Sequence, residues 1–223
     1  MKKNELAKHL VATELTIGRT ESQIVEFTLQ AAQRGLLGVC VYQNMLLTAI
    51  KAAQGSDLKV FTVAGFPSGR DVPITKVSDV KLSSKRGAFE VDMCINLSAW
   101  KSNDMKTLRE ELAGGAEAAH CHGGRFSAVL NTCNLDEDSI HQLSAMCVTY
   151  GADSIKTISG DSVIPRATTE DDVKFIRAAV GENALVKAEG QIATLDKAIE
   201  LLKAGADVIC SKDAFAIFDS AEE

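Results

Sequence analysis

Two textures alternate along the chain. Short runs rich in apolar and β-branched residues stop at Gly, Asn, Thr or Ser. Longer stretches follow, in which apolar positions recur about every 3.6 residues. The short runs predict strands at residues 9–16, 37–42, 58–64, 89–96, 125–131, 154–157, 184–189 and 207–210. The longer ones predict helices at 21–34, 45–54, 105–120, 139–150, 170–180 and 195–203. In the first of these, Ile24, Val25, Phe27, Leu29 and Ala32 fall mainly on one helical face. Helix stops are legible at Arg34-Gly35, Tyr150-Gly151-Ala152 and Lys203-Ala204-Gly205-Ala206. Starts are legible where Thr20 precedes Glu21, where Asp136 precedes Ser139, and in Thr168-Thr169-Glu170-Asp171.

Strand–helix units repeating at roughly 20–30 residues imply a parallel sheet wrapped in helices. Eight strands is the number that closes a barrel. The structural competitor, an open doubly wound sheet, usually carries a Gly-rich dinucleotide loop after its first strand, whereas here the text is Ile17-Gly18-Arg19-Thr20. The expectation is therefore an α/β fold, a (β/α)8 TIM barrel, with residues 1–223 forming one domain. The length of 223 residues suits a single barrel.

Composition narrows the function. Hydrophobic residues make up 46% and charged ones 24%, ordinary for a chain that buries a full core. A net charge of −6 argues against a sequence-independent nucleic-acid binder, which needs a basic face. No apolar run approaches the roughly 20 residues of a membrane span, so no membrane partner is expected. The charged start, Met1 to His9, lacks the apolar stretch of a signal peptide. The six cysteines are scattered without a CxxC pair, which points to a reduced, cytoplasmic protein.

In such a barrel the chemistry sits at the carboxyl ends of the strands. The polar residues there are Asn96, Asn131, Lys156-Thr157 and Lys187-Ala188-Glu189, with Asp92 inside the fourth strand. A lysine within a short inner strand meets a dry environment, and burial pushes an ammonium towards the neutral amine that attacks carbonyls. Lys187 occupies the next strand. Adjacent strands lie about 4.8 Å apart, so two inward lysines would be neighbours and would disfavour each other's protonation. Alternation places Glu90, Asp92 and Cys94 on one face of the fourth strand. Two lysines and an acid inside a barrel make an acid–base set around a carbonyl; a buried structural ion pair is the plainer reading. His120-Cys121-His122 is a poor metal pair, because adjacent helical residues do not face one another. Trp100 suits either a pocket cover or core packing.

The chain resembles the deoxyribose-phosphate aldolase family over essentially its whole length. The resemblance rests on Val39-Cys40-Val41 and on Thr62-Val63-Ala64-Gly65-Phe66-Pro67-Ser68-Gly69. It continues through Glu90-Val91-Asp92-Met93, Ile95-Asn96, Ala152-Asp153, Ile155-Lys156-Thr157 and Val186-Lys187-Ala188. It implies a class I aldolase that needs no metal or other cofactor. In it Lys156 forms the Schiff base, Lys187 tunes its pKa, and Asp92 assists proton transfer. Thr157, Gly160, Gly190, Ser211, Lys212 and Asn131 are the expected substrate-binding residues. The expected partner is a small carbonyl compound, phosphorylated or not, and a homodimer is the assembly considered. A metabolite-binding or regulatory barrel without turnover is the alternative.

The chain also departs from the family's pattern. Val11 stands where the resemblance implies an Asp, and Ser127 and Asn131 where it implies a lysine and a glutamate. The two phosphate-binding turns read Glu189-Gly190-Gln191 and Ile209-Cys210-Ser211-Lys212-Asp213, not Gly-rich. Bulk at Gln191 and Ile209 and the charge of Glu189 are expected to weaken phosphate binding there.

Overall fold

The computed structural model describes residues 1–159 and 166–223, and its strands form a closed barrel. They are β1 (Leu10–Glu14), β2 (Gly38–Val41), β3 (Lys59–Ala64), β4 (Glu90–Cys94), β5 (Arg125–Val129), β6 (Ser154–Lys156), β7 (Leu185–Ala188) and β8 (Val208–Ser211). Each pairs in parallel with the next, and β8 closes on β1 through Leu10↔Ile209 and Val11↔Cys210. The helices are α1 (Lys3–Leu6), α2 (Glu21–Gln33), α3 (Leu46–Ala52), α4 (Pro73–Lys85), α5 (Leu97–Lys101), α6 (Met105–His120), α7 (Glu137–Thr149), α8 (Glu170–Val180), α9 (Leu195–Lys203) and α10 (Ala214–Asp219). None of them is long and apolar enough to cross a membrane.

Every strand read from the sequence is present, with ends that differ by a residue or two, as is usual where pairing frays. The start signals act as expected. Thr20 accepts from the Gln23 N–H while the Gln23 side chain accepts from the Thr20 N–H, a reciprocal cap on α2. Asp136 caps α7 through the Ser139 N–H at 2.8 Å, and Thr169 caps α8 through Asp172. Helix α4 was not legible as a helix. Its buried face carries Lys76, Val80, Ser83 and Ser84, so polar residues stand where an apolar stripe would mark the period.

The pleat sorts side chains into two compartments. Val91, Met93 and Ile95 point out of the barrel and join the core beneath the helices, as does Trp100 at the margin of that core. Val11, Cys40, Phe61, Val63, Val208 and Cys210 form a smaller cluster of their own inside the barrel. Gly38 makes room there: a Cβ on it would stand 2.5 Å from the Phe61 ring and from the Lys59 carbonyl. The barrel interior is thus apolar on the β1–β3 and β8 side. Its β4–β7 side is charged.

Candidate active site

Lys156 ends β6 and Lys187 lies within β7, and the two are direct partners in the register of that parallel pair. Both side chains point into the barrel and are 1% exposed. Asp92, from β4 across the interior, reaches both: its Oδ2 accepts from Lys156 Nζ at 2.8 Å and its Oδ1 accepts from Lys187 Nζ. Glu90, two residues earlier on the same face, pairs with Lys187. Its other oxygen accepts from Arg125 Nε at 3.1 Å and from Ser154 Oγ at 3.0 Å. Glu189, just past β7, pairs with Lys156. The result is a chain of alternating sign through the barrel: Arg125, Glu90, Lys187, Asp92, Lys156, Glu189. Lys187 also stands 4.7 Å from the centre of the Phe61 ring, a favourable placement for a cation.

This arrangement overturns one expectation. Two lysines alone would depress each other's pKa, but three carboxylates are threaded between and beyond them. Burial disfavours the Lys156 ammonium, yet Asp92 and Glu189 outweigh it and hold its pKa well above the ordinary lysine value. Lys187 is raised in the same way by Asp92 and Glu90 against burial and against Lys156. Burial acts to raise the Asp92 pKa, but the two ammonium groups prevail and hold it at about 2. Glu189 goes the other way: burial raises its carboxyl and Lys156 only partly offsets this.

A cavity of about 800 Å³ opens at the carboxyl ends of the strands. Thr13, Tyr42, Phe66 and Pro67 line one side, with Glu189, Gly190, Gln191, Ser211, Lys212 and Asp213 on the other. Glu189 lines this space; Lys156, its ion-pair partner, and Asp92 are buried and are not among the lining residues. Of the expected substrate-binding residues, Gly190, Ser211 and Lys212 border the cavity. Gly190 has φ +117°, and a Cβ on it would stand 2.9 Å from the Ile158 side chain. The Ser211 hydroxyl is committed, donating to Ile192 O at 2.6 Å and accepting from Asp213 N at 2.9 Å. Lys212, with its side chain 80% exposed, pairs with Asp213 at 3.0 Å.

Thr157 and Asn131 are not among the described residues that line the cavity. Thr157 is buried, its hydroxyl donating to Glu189 O at 2.9 Å and tying β6 to β7. Asn131, at φ +51°, accepts from Ser159 N at 2.8 Å. Gly160 lies outside the described residues. Asn96 caps α5 through the Ala99 N–H. The His120 ring contacts Asp153 at 2.8 Å.

Two further differences bear on substrate binding. Ile209 is not in a turn: it lies inside β8 with its side chain in the outer core, so it does not obstruct the cavity. Glu189 is not a free charge at the mouth, because its carboxylate is turned inward onto Lys156. Sequence reasoning expected the Glu189 charge, at the end of the seventh strand, to face a bound phosphate, and gave Glu90 no role. The signal was available, since Glu189 lies two residues after Lys187 and shares its face by strand alternation. The Thr13 hydroxyl, buried and bordering the cavity, has no hydrogen-bond partner among the described residues. A second buried pair, Lys76–Glu111 at 2.6 Å, braces the loop after β3. Lys76 Nζ donates to Gly69 O and Cys94 O, both at 3.0 Å.

No protein-family model matches the chain. Among curated proteins, the deoxyribose-phosphate aldolase of Thermococcus kodakarensis is 31% identical over 225 residues, which span 100% of both chains. The chain belongs to the deoxyribose-phosphate aldolase family. A solved structure described as QR15, an aldolase, superposes with a TM-score of 0.90 at 31% identity, covering 96% of this chain and 95% of that one. A deoxyribose phosphate aldolase from Aeropyrum pernix, described as having a unique tetrameric structure, superposes with a TM-score of 0.89. At 23% identity, that likeness speaks for the fold. As a member of the deoxyribose-phosphate aldolase family, the chain is a class I aldolase and an aldehyde-lyase.

Proposed function

We propose that Lys156 is the lysine that forms the Schiff base, with Lys187 and Asp92 as its partners. The observation that supports this is the register of Lys156 and Lys187 on adjacent strands, both held by Asp92. Lys156 rests as an ammonium and must lose a proton before it adds to a carbonyl carbon. Asp92, clamped by two cations, fixes the position of Nζ and supplies a permanent counter-charge for the iminium that follows. Lys187 keeps Asp92 ionised and in place. Loss of water gives the iminium. The iminium draws in the electrons of the bond between the second and third carbons of a β-hydroxy aldehyde, so that bond breaks. An aldehyde leaves, and the enamine left on Lys156 is protonated and hydrolysed, releasing acetaldehyde. Thr13, whose hydroxyl at the cavity wall has no partner among the described residues, would bind a substrate hydroxyl.

The T. kodakarensis relative is named for deoxyribose phosphate. For this chain we propose a small β-hydroxy aldehyde that is neutral or carries its anion elsewhere. Among the described residues, the charges bordering the cavity are Glu189, Lys212 and Asp213, and Lys212 is already paired with Asp213. Even in near-aqueous surroundings, each unit of like charge about 4 Å from Asp213 is opposed by ~1 kcal/mol. Asp213 thus offsets Lys212, and a phosphate dianion gains little from that cation. The six unpaired cysteines favour a reducing, cytoplasmic setting.

Acetaldehyde release, coupled to NADH oxidation by an alcohol dehydrogenase, tests the substrate reading. The expected result is cleavage of 2-deoxyribose and smaller β-hydroxy aldehydes, with weak turnover of 2-deoxyribose 5-phosphate. A micromolar KM for the phosphorylated sugar would contradict it.

A further inference from the structure

We propose that Glu189 is a catalytic residue, the proton carrier of this site. Its carboxylate takes the proton from the Lys156 ammonium, delivers it to the departing hydroxyl, and later moves the proton on the carbon beside the imine. The inference deepens the Schiff-base reading and rests on it.

Three observations carry it. Glu189 touches Lys156 and also borders the cavity, whereas Lys156 and Asp92 are buried and are not among the lining residues. A carbonyl approaching Nζ from the cavity therefore meets Glu189 first. Its backbone is pinned, its N–H donating to Thr157 Oγ1 at 3.0 Å and its carbonyl accepting from that hydroxyl and from Thr168. Its carboxylate is less constrained: among the described residues, Lys156 is its one ion-pair partner. Asp92 is held on both oxygens by ammonium groups, so it is a poor acceptor of a further proton. Among the described residues, the charged and titratable groups around Glu189 are Lys156 from β6, Lys187 from β7 and Asp92 from β4, with the thiols of Cys210, Cys40 and Cys94 nearby on β8, β2 and β4. Burial lifts the Glu189 carboxyl above its usual range, towards that of a general acid and base at working pH.

The steps balance. The Lys156 ammonium and Glu189 carboxylate become amine and carboxylic acid. The amine adds to the carbonyl, and the proton lost by nitrogen is matched by one gained by oxygen. Glu189 then protonates the hydroxyl, which leaves as water, giving an iminium cation beside the restored carboxylate. Next the carboxylate takes the substrate's β-hydroxyl proton as the C–C bond breaks, and returns it to the enamine carbon.

Glu189→Gln keeps the shape and removes the carrier. The experiment follows exchange of acetaldehyde methyl protons for deuterium in D₂O by NMR, alongside borohydride trapping of acetaldehyde at Lys156 after long incubation. The expected result is at least a hundredfold slower methyl exchange in Glu189→Gln, with trapping at Lys156 retained. Glu189→Asp should recover at least a tenth of the exchange rate and shift its pH profile. Exchange within about threefold of the unaltered protein in Glu189→Gln would overturn the proposal. If Glu189→Gln does not fold, an unchanged pH profile in Glu189→Asp would do the same. Absence of trapping in the unaltered protein would instead sink the Schiff-base reading, and this inference with it.

Discussion

Removing Lys187 should unbalance the whole chain of charges inside the barrel. In Lys187→Met the alkyl stem is preserved, so little packing is lost, but Glu90 and Asp92 lose a cation they share. Arg125 still faces Glu90 and Lys156 still faces Asp92, leaving one buried negative charge without a counterpart. Breaking a buried pair by removing one partner costs about 3–5 kcal/mol. The contact with Phe61 adds a fraction of that. Against a total stability of about 5–15 kcal/mol, this is a large share. At roughly 2–4 °C per kcal/mol for a chain of this size, the melting temperature should fall by ~6–20 °C. Adding Asp92→Asn to Lys187→Met leaves two complete pairs, Arg125–Glu90 and Lys156–Glu189. The double variant should therefore be less destabilised than the sum of the singles, by ~1–3 kcal/mol. Urea unfolding followed by circular dichroism gives all four corners of the cycle. A Lys187→Met variant within about 1 kcal/mol of the unaltered protein, or strictly additive effects, would refute the reasoning.

Other outcomes follow from the same geometry. Asp92 is held at about 2, below its ordinary value near 3.9, so it contributes stability above pH ~4 that is lost as pH falls from about 4 to 2. Urea midpoints across that window should show this loss in the unaltered protein and a flatter profile in Asp92→Asn. Lys156→Arg keeps a cation but forms no imine, so turnover should drop at least about a thousandfold, or ~4 kcal/mol in barrier, with residual activity at a tenth arguing against its role. Gln191→Gly with Asp213→Asn removes bulk and one negative charge from the mouth. It should improve KM for 2-deoxyribose 5-phosphate by roughly tenfold, and an unchanged KM would show that the phosphate sits elsewhere.

The barrel was legible because its strands are short apolar runs closed by turn residues, and because Thr20, Asp136 and Thr169 announce their helices. Helix α4 was hidden because Lys76 and two serines occupy its buried face. The pairing of Lys156 with Lys187 could be read from their matching positions on consecutive strands. The charge state could not, because Asp92 and Glu90 reach across the interior from β4, and a linear reading does not weigh contacts between strands far apart in sequence. Glu189 was misread for a related reason. A strand can keep its alternation one residue past its last ladder bond, so a charge expected to face a bound phosphate points inward instead.

The central claim is that Lys156 bonds covalently to the substrate carbonyl. Incubation with acetaldehyde and sodium borohydride, followed by proteolysis and mass spectrometry, tests it directly. A reduced two-carbon adduct confined to the peptide carrying Lys156, absent without acetaldehyde and absent from Lys156→Arg, is the predicted result. An adduct at Lys187 instead, or none at either lysine, would contradict the account.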